Sequence, residues 1–124
     1  MRRLLTAILL ACTLGCAQMI APVEPIAVPE NLSEAGKEAQ KLINEANIAL
    51  TAAYDLVGEK RKQKLLTKAE AFKYLNTLDD YSADVDKAQE TLNAGKDFEA
   101  KGKAEALKLL IETLRQRVAE KVRQ

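Results

Sequence analysis

Histidine and tryptophan do not occur in this 124-residue chain, and aromatic residues make up only 4% of it. Without histidine there is no imidazole base near neutral pH, no Ser–His or Cys–His pair, and no imidazole ligand for a transition metal. Serine is scarce as well. Ser33 and Ser82 stand alone, and each fits a helix cap or a helix surface better than a Ser–Lys nucleophile pair. The two cysteines, Cys12 and Cys16, both lie near the start, which leaves the rest of the chain without a disulfide framework. Proline stops at Pro29, and the five glycines are scattered, so no glycine-rich loop is available to cradle a phosphate. Charge of one sign is lacking too: 19 Lys and Arg face 18 Asp and Glu, for a formal net charge of +1. Basic residues do not interleave with aromatics, and nucleic acid is not an expected partner. These gaps point away from an enzyme, and neither a cofactor nor a resident metal is expected.

What is present begins with an address. Met1-Arg2-Arg3 is followed by an almost wholly apolar run from Leu4 to Leu14 and then by Gly15-Cys16. A short cationic start before an apolar run of this length has the form of a signal peptide. The run is too short to span a bilayer, which takes about 20 apolar residues. Thr13-Leu14-Gly15-Cys16 resembles the lipobox of bacterial lipoproteins, with a small residue just before a cysteine. It departs from that pattern at Thr13, where the family prefers Leu. Leu9-Leu10-Ala11-Cys12 is a competing match, but cleavage there would shorten the apolar run. The resemblance implies that residues 1–15 are removed, that the Cys16 thiol carries a diacylglycerol, and that the new amino group is acylated, typically with palmitate. Ala17 after the cysteine implies, by the sorting rule of enteric-type bacteria, an outer-membrane anchor facing the periplasm. Two or three acyl chains hold a protein on a membrane persistently, whereas one binds only marginally.

Residues 16–32 then read as a tether. Pro22, Pro25 and Pro29 each remove an amide donor and disfavour helix in the residue before them. Fully extended, residues 17–31 reach at most about 50 Å.

From residue 33 to 124 the composition shifts to Ala, Leu, Glu, Lys and Gln, which favour helix, and no alternating β-branched run suggests a strand. Three segments of about 30, 28 and 27 residues are expected, each roughly 40–45 Å long. In the first, Ser33 is the expected N-cap. Its apolar stripe runs Ala35, Ala39, Leu42, Ala46, Ala49, Ala53 and Leu56, widened by Ile43, Leu50 and Val57. In the second, Thr67-Lys68-Ala69-Glu70 spells a capping box, and Ala71, Phe72, Leu75, Leu78, Tyr81, Val85, Ala88 and Leu92 form the stripe. Asn93-Ala94-Gly95 is a helix stop with Gly95 suited to a left-handed position. In the third, Asp97 is the expected N-cap and Gly102 a weak point. Ala100, Ala104, Leu107, Leu110, Ile111, Leu114, Val118 and Val122 line one side. Matched lengths and short joints predict an all-α fold, an antiparallel three-helix bundle. A pair of long helices that dimerises is the alternative.

This topology would bring the first joint and the C-terminus to one distal end, where cations outnumber acids. Lys60, Arg61, Lys62, Lys64, Arg117, Lys121 and Arg123 form a candidate patch for an anionic partner, with Lys68 and Arg115 nearby. The bland alternative is that these cations complement helix C-termini. Asp79, Asp80, Asp84 and Asp86 form an acidic cluster, but the EF-hand order is missing and a solvated face fits better. Tyr74 lies off the stripe and is expected to be exposed.

The functional expectation is a non-enzymatic, lipid-anchored cell-envelope protein. Its helical bundle would bind, adapt or space an envelope protein or an anionic cell-wall polymer, or pair with a second copy of itself. An apolar groove on a chaperone-like helical protein is a further reading. Leu66-Thr67-Lys68-Ala69-Glu70-Ala71 also resembles small helical lipoproteins of prophage regions. That resemblance implies superinfection exclusion or a part in host lysis as the outer partner of a spanin pair. Proline in such spanin partners often extends along much of the chain, whereas here it stops early.

Overall fold

A computed structural model describes residues 26–28 and 32–121 of the chain. The signal segment 1–15, Cys12, Cys16, most of the tether, Val122 and Arg123 lie outside the described residues.

Three helices form in the order α1 (Glu34–Lys62), α2 (Lys68–Asn93) and α3 (Asp97–Ala119), packed into a three-helix bundle. The chemistry of their ends explains the boundaries. Ser33 caps α1: its hydroxyl accepts the Gly36 amide at 3.0 Å. Thr67 caps α2 through a complete capping box. The Glu70 amide donates to Thr67 Oγ1 at 3.1 Å, and the Thr67 amide donates to Glu70 Oε1 at 3.0 Å. Two of the four orphan amides at that end are thereby satisfied.

The C-termini of α1 and α2 use one motif. At α1, the Lys64 amide bonds to the Arg61 carbonyl and the Leu65 amide to the Lys60 carbonyl. At α2, the Gly95 amide bonds to the Leu92 carbonyl and the Lys96 amide to the Thr91 carbonyl. Both are Schellman endings, which need a left-handed residue just past the cap. Gly95 supplies it with φ +82°. Lys64 supplies it at φ 60° with a side chain attached, a conformation that is costly for any residue with a Cβ.

The expected cap of α3 is corrected. Lys96 occupies the N-cap position without a side-chain cap bond, and Asp97 is the first helical residue. Asp97 is engaged elsewhere, accepting a hydrogen bond from the Ser33 hydroxyl at the start of α1. Helix α3 also runs unbroken through Gly102.

Side-chain pairings fix the directions. Along α1 and α3, Ser33 meets Asp97, Glu38 meets Lys101 at 2.7 Å, Glu45 meets Lys108 at 2.6 Å, and Lys60 donates to the Lys121 carbonyl at 2.9 Å. These two helices therefore run parallel, and their two ion pairs repeat at a heptad spacing. Gln40 meets Gln89, and Tyr54 meets Asp79, so α2 runs antiparallel to α1. Helices α1 and α3 pack on each other more extensively than either packs on α2. Their buried faces are rich in small residues, Ala39, Ala46, Ala49 and Ala53 on α1 and Ala100 and Ala104 on α3, which let two backbones approach closely.

The core corrects the expected stripes in four places. In α1, Ile43, Leu50 and Val57 are its large buried members, while Leu42 and Leu56 are half-buried. In α2, Phe72 is 66% exposed, one position past the buried Ala71. Leu78, Val85, Ala88 and Leu92 carry the buried face, with Leu75 and Tyr81 packed at its margin. In α3, Leu110 is 47% exposed and Ile111 fully buried. Leu66, in the first joint, is buried and belongs to the core.

Candidate functional site

Ile26–Val28 does not hang free of the bundle. The Ile26 amide donates to Asn44 Oδ1 at 3.1 Å, and Asn44 Nδ2 donates to the Ile26 carbonyl at 2.7 Å. A side-chain amide has a donor and an acceptor in the geometry of a peptide group, so Asn44 pairs with the chain much as a strand residue would. This clasp continues into the interior. Gln40, only 2% exposed, donates to Asn44 Oδ1 and to Gln89 Oε1, and Gln89 returns a bond to Gln40 Oε1. Gln89 also donates to Asn93 Oδ1. A buried amide is costly unless satisfied, and here every side-chain polar atom of Gln40 has a partner.

The joint between α1 and α2 lies beside the end of α3, and six of the seven residues of the expected basic patch, Lys60, Arg61, Lys62, Lys64, Arg117 and Lys121, lie in or near these two segments. Several of its cations serve the bundle itself. Lys60 bonds the Lys121 carbonyl, and Arg61 donates to the Leu66 carbonyl at 3.1 Å. Lys121 Nζ pairs with Glu70 at 3.0 Å. That pairing and the Glu70 neighbourhood shift both groups. The Thr67 amide, then Lys121, hold the Glu70 carboxyl below the usual carboxylate range, and Glu70 raises Lys121. Lys62, Lys64 and Arg117 remain exposed and make no ion pair among the described residues. Arg123 lies outside those residues.

The acidic cluster on α2 does not converge. Asp79 accepts the Tyr54 hydroxyl, and Asp84 lies 3.9 Å from Lys87. No group of three or more acidic or sulfur side chains is arranged for a metal ion among the described residues. Burial, then the bond to Asp79, pushes the Tyr54 phenol well above its ordinary range. Tyr74, expected at the surface, is half-buried and packed against the core.

The seam between α2 and α3 is open. A groove of about 340 Å³ runs along it, lined on one side by Glu70, Lys73, Tyr74, Thr77 and Tyr81 and on the other by Leu110, Thr113, Leu114 and Arg117. A second hollow of about 260 Å³ adjoins it and shares Leu110. The α2 residues recur at steps of three and four, as do those of α3, so each helix presents a second stripe beside its core stripe. The sequence carried this signal, but its polar hydroxyls masked it from a reading built on apolar periodicity.

No protein family, curated protein or solved structure matches the chain in sequence or fold comparison. No helix among the described residues is long and apolar enough to cross a membrane.

Proposed function

We propose that this chain is a non-enzymatic, lipid-anchored cell-envelope protein whose helical bundle binds or spaces an anionic envelope component. The observation that carries this reading is the order of parts along the chain. A cationic start and an apolar run end in Gly15-Cys16, a proline-bearing segment follows, and a folded bundle completes the sequence. Acyl chains on Cys16 would supply membrane affinity at about 0.8 kcal/mol per buried methylene. Ala17 after the lipobox cysteine supports, through the sorting rule of enteric-type bacteria, an outer-membrane anchor with the bundle in the periplasm. The partner surface includes the exposed cations Lys62, Lys64 and Arg117 at the end where α1 and α3 finish.

Fractionation of cells expressing the wild-type chain and Cys16→Ser tests the anchor. The wild type is expected in the membrane fraction and Cys16→Ser in the soluble fraction, with Cys12→Ser retained like the wild type. Membrane retention of Cys16→Ser, unchanged from wild type, overturns the reading.

A further inference from the structure

The α2–α3 groove has a chemistry that packing does not use. Its floor is apolar and aromatic, formed by Leu110, Leu114 and the half-buried rings of Tyr74 and Tyr81. Tyr54 commits its hydroxyl to Asp79; the hydroxyls of Tyr74 and Tyr81 make no hydrogen bond among the described residues. Thr77 and Thr113 donate to carbonyls of their own helices, Lys73 and Leu109, which leaves their oxygen lone pairs as acceptors at the groove. The one acid of the lining, Glu70, is already neutralised by Lys121. Lys73 and Arg117, on opposite walls, have no carboxylate partner among the described residues, so the groove carries uncompensated positive charge.

We propose that this groove binds a carboxylated sugar chain. The ligand class follows from three complementary features. A sugar ring has an apolar face that stacks on tyrosine and leucine, as aromatic sites commonly present a large apolar body with a polar tip. Its hydroxyls match the free phenols and the threonine lone pairs. Its carboxylate matches Lys73 and, in a bidentate fork, Arg117. An extended ligand is favoured over a compact one because the second hollow, lined by Ala106, Leu107 and the ion-paired Asp84, Lys87 and Lys103, continues the groove past Leu110 as a further, charge-balanced subsite. The groove volume falls in the range of small-molecule sites. This assignment rests on the anionic-partner reading above and moves its centre from the tip of the bundle to the seam.

Calorimetric titration of the full-length chain in detergent micelles tests it, with tetragalacturonate as the carboxylated probe and maltotetraose as its neutral counterpart. Tetragalacturonate is expected to bind and maltotetraose not to. Arg117→Gln is expected to weaken binding about tenfold, the size of one lost charge-assisted contact. Arg117→Lys restores part of the loss, Tyr81→Ala weakens binding, and Lys41→Gln, an exposed position of α1 outside the groove lining, leaves it unchanged. Lys73 and Arg117 are exposed, so circular dichroism of their variants should match wild type. The proposal is overturned by equal binding of the neutral probe, by no binding of either, or by loss of binding in Lys62→Gln/Lys64→Gln with none in Arg117→Gln, which would return the site to the tip. None of these outcomes alters membrane retention through Cys16, so failure of the groove and failure of the anchor are separable.

Discussion

At the scale of single residues, the buried Gln40–Gln89 pair is the position where chemistry and packing are most tightly coupled. Each amide gives and receives a bond, and Gln40 also supports Asn44. Gln40→Ala strands the Gln89 amide against a cavity and is expected to destabilise the bundle by roughly 1–3 kcal/mol in urea titration. Gln40→Leu/Gln89→Leu removes both polar partners and is expected to lie much closer to wild type, since apolar replacement of a whole pair avoids the unsatisfied group. If the double variant is as unstable as the single one, the pair is not the source of the effect. Gln40 also shows why part of the molecule was illegible in the sequence. A glutamine among Ala39, Ala46 and Ile43 reads as a helix surface residue until its partner, 49 positions away, is known. Phe72 is the converse. It reads as core by hydrophobicity, yet it sits one residue past Ala71, about 100° around the helix from the buried face, and points to solvent. Leu110, beside buried Ile111, is displaced in the same way and becomes the floor of the groove.

At the scale of elements, the local signals were read most directly. Ser33, Thr67 with Glu70, and Gly95 all act where their residue types predict, because caps depend on three or four neighbouring residues and not on the tertiary fold. Asp97 was misread because a distant group, the Ser33 hydroxyl, competes for its carboxylate. At the end of α1, Lys64 and not glycine takes the left-handed position. The two Schellman endings therefore form a matched experiment. Lys64→Gly is expected to stabilise the bundle by up to ~1 kcal/mol, by removing the cost of a Cβ at positive φ. Gly95→Ala introduces that cost and is expected to destabilise by about 1 kcal/mol. Nothing lies within 4 Å of a Cβ placed on Gly95, so crowding does not confound the second measurement. Thermal or urea midpoints moving in the same direction for both variants contradict this account of the α1 ending.

At the scale of the whole molecule, ion pairs stitch α1 to α3 and α3 to α2 at the surface, where each contributes little by itself. Their joint effect is expected in the pH dependence of stability. Glu38 is lowered by its bond to Lys101, and Glu70 by the Thr67 amide and Lys121. A carboxyl with a depressed folded-state pKa contributes stability that is present above its unfolded value and lost as pH falls through the folded one. Lys101, Lys108 and Lys121 are raised by their acid partners, and Tyr54 is raised by burial and by Asp79. Their contribution is present below the unfolded values and lost as pH rises through the folded ones. Urea midpoints are therefore expected to be level between about pH 5 and about pH 9.5 and to fall on both sides. Glu38→Gln should flatten the acid limb and Tyr54→Phe the alkaline one; a limb unchanged by its variant contradicts the assignment. The Asn44 clasp also decides how the molecule carries a pull. Tension arriving along the N-terminal segment meets the bundle about 16 Å inward from the start of α1, counted from Ser33 at 1.5 Å per residue. Two hydrogen bonds are expected to yield first, freeing Ile26 from Asn44; the seven peptide links from there to Ser33 span at most about 25 Å. Only then does the load reach the α1 cap, where the Ser33–Asp97 bond passes it sideways into α3. In a chain held by its N-terminal end, the clasp is therefore expected to act as strain relief, giving way under a tug before the first turn of the fold does.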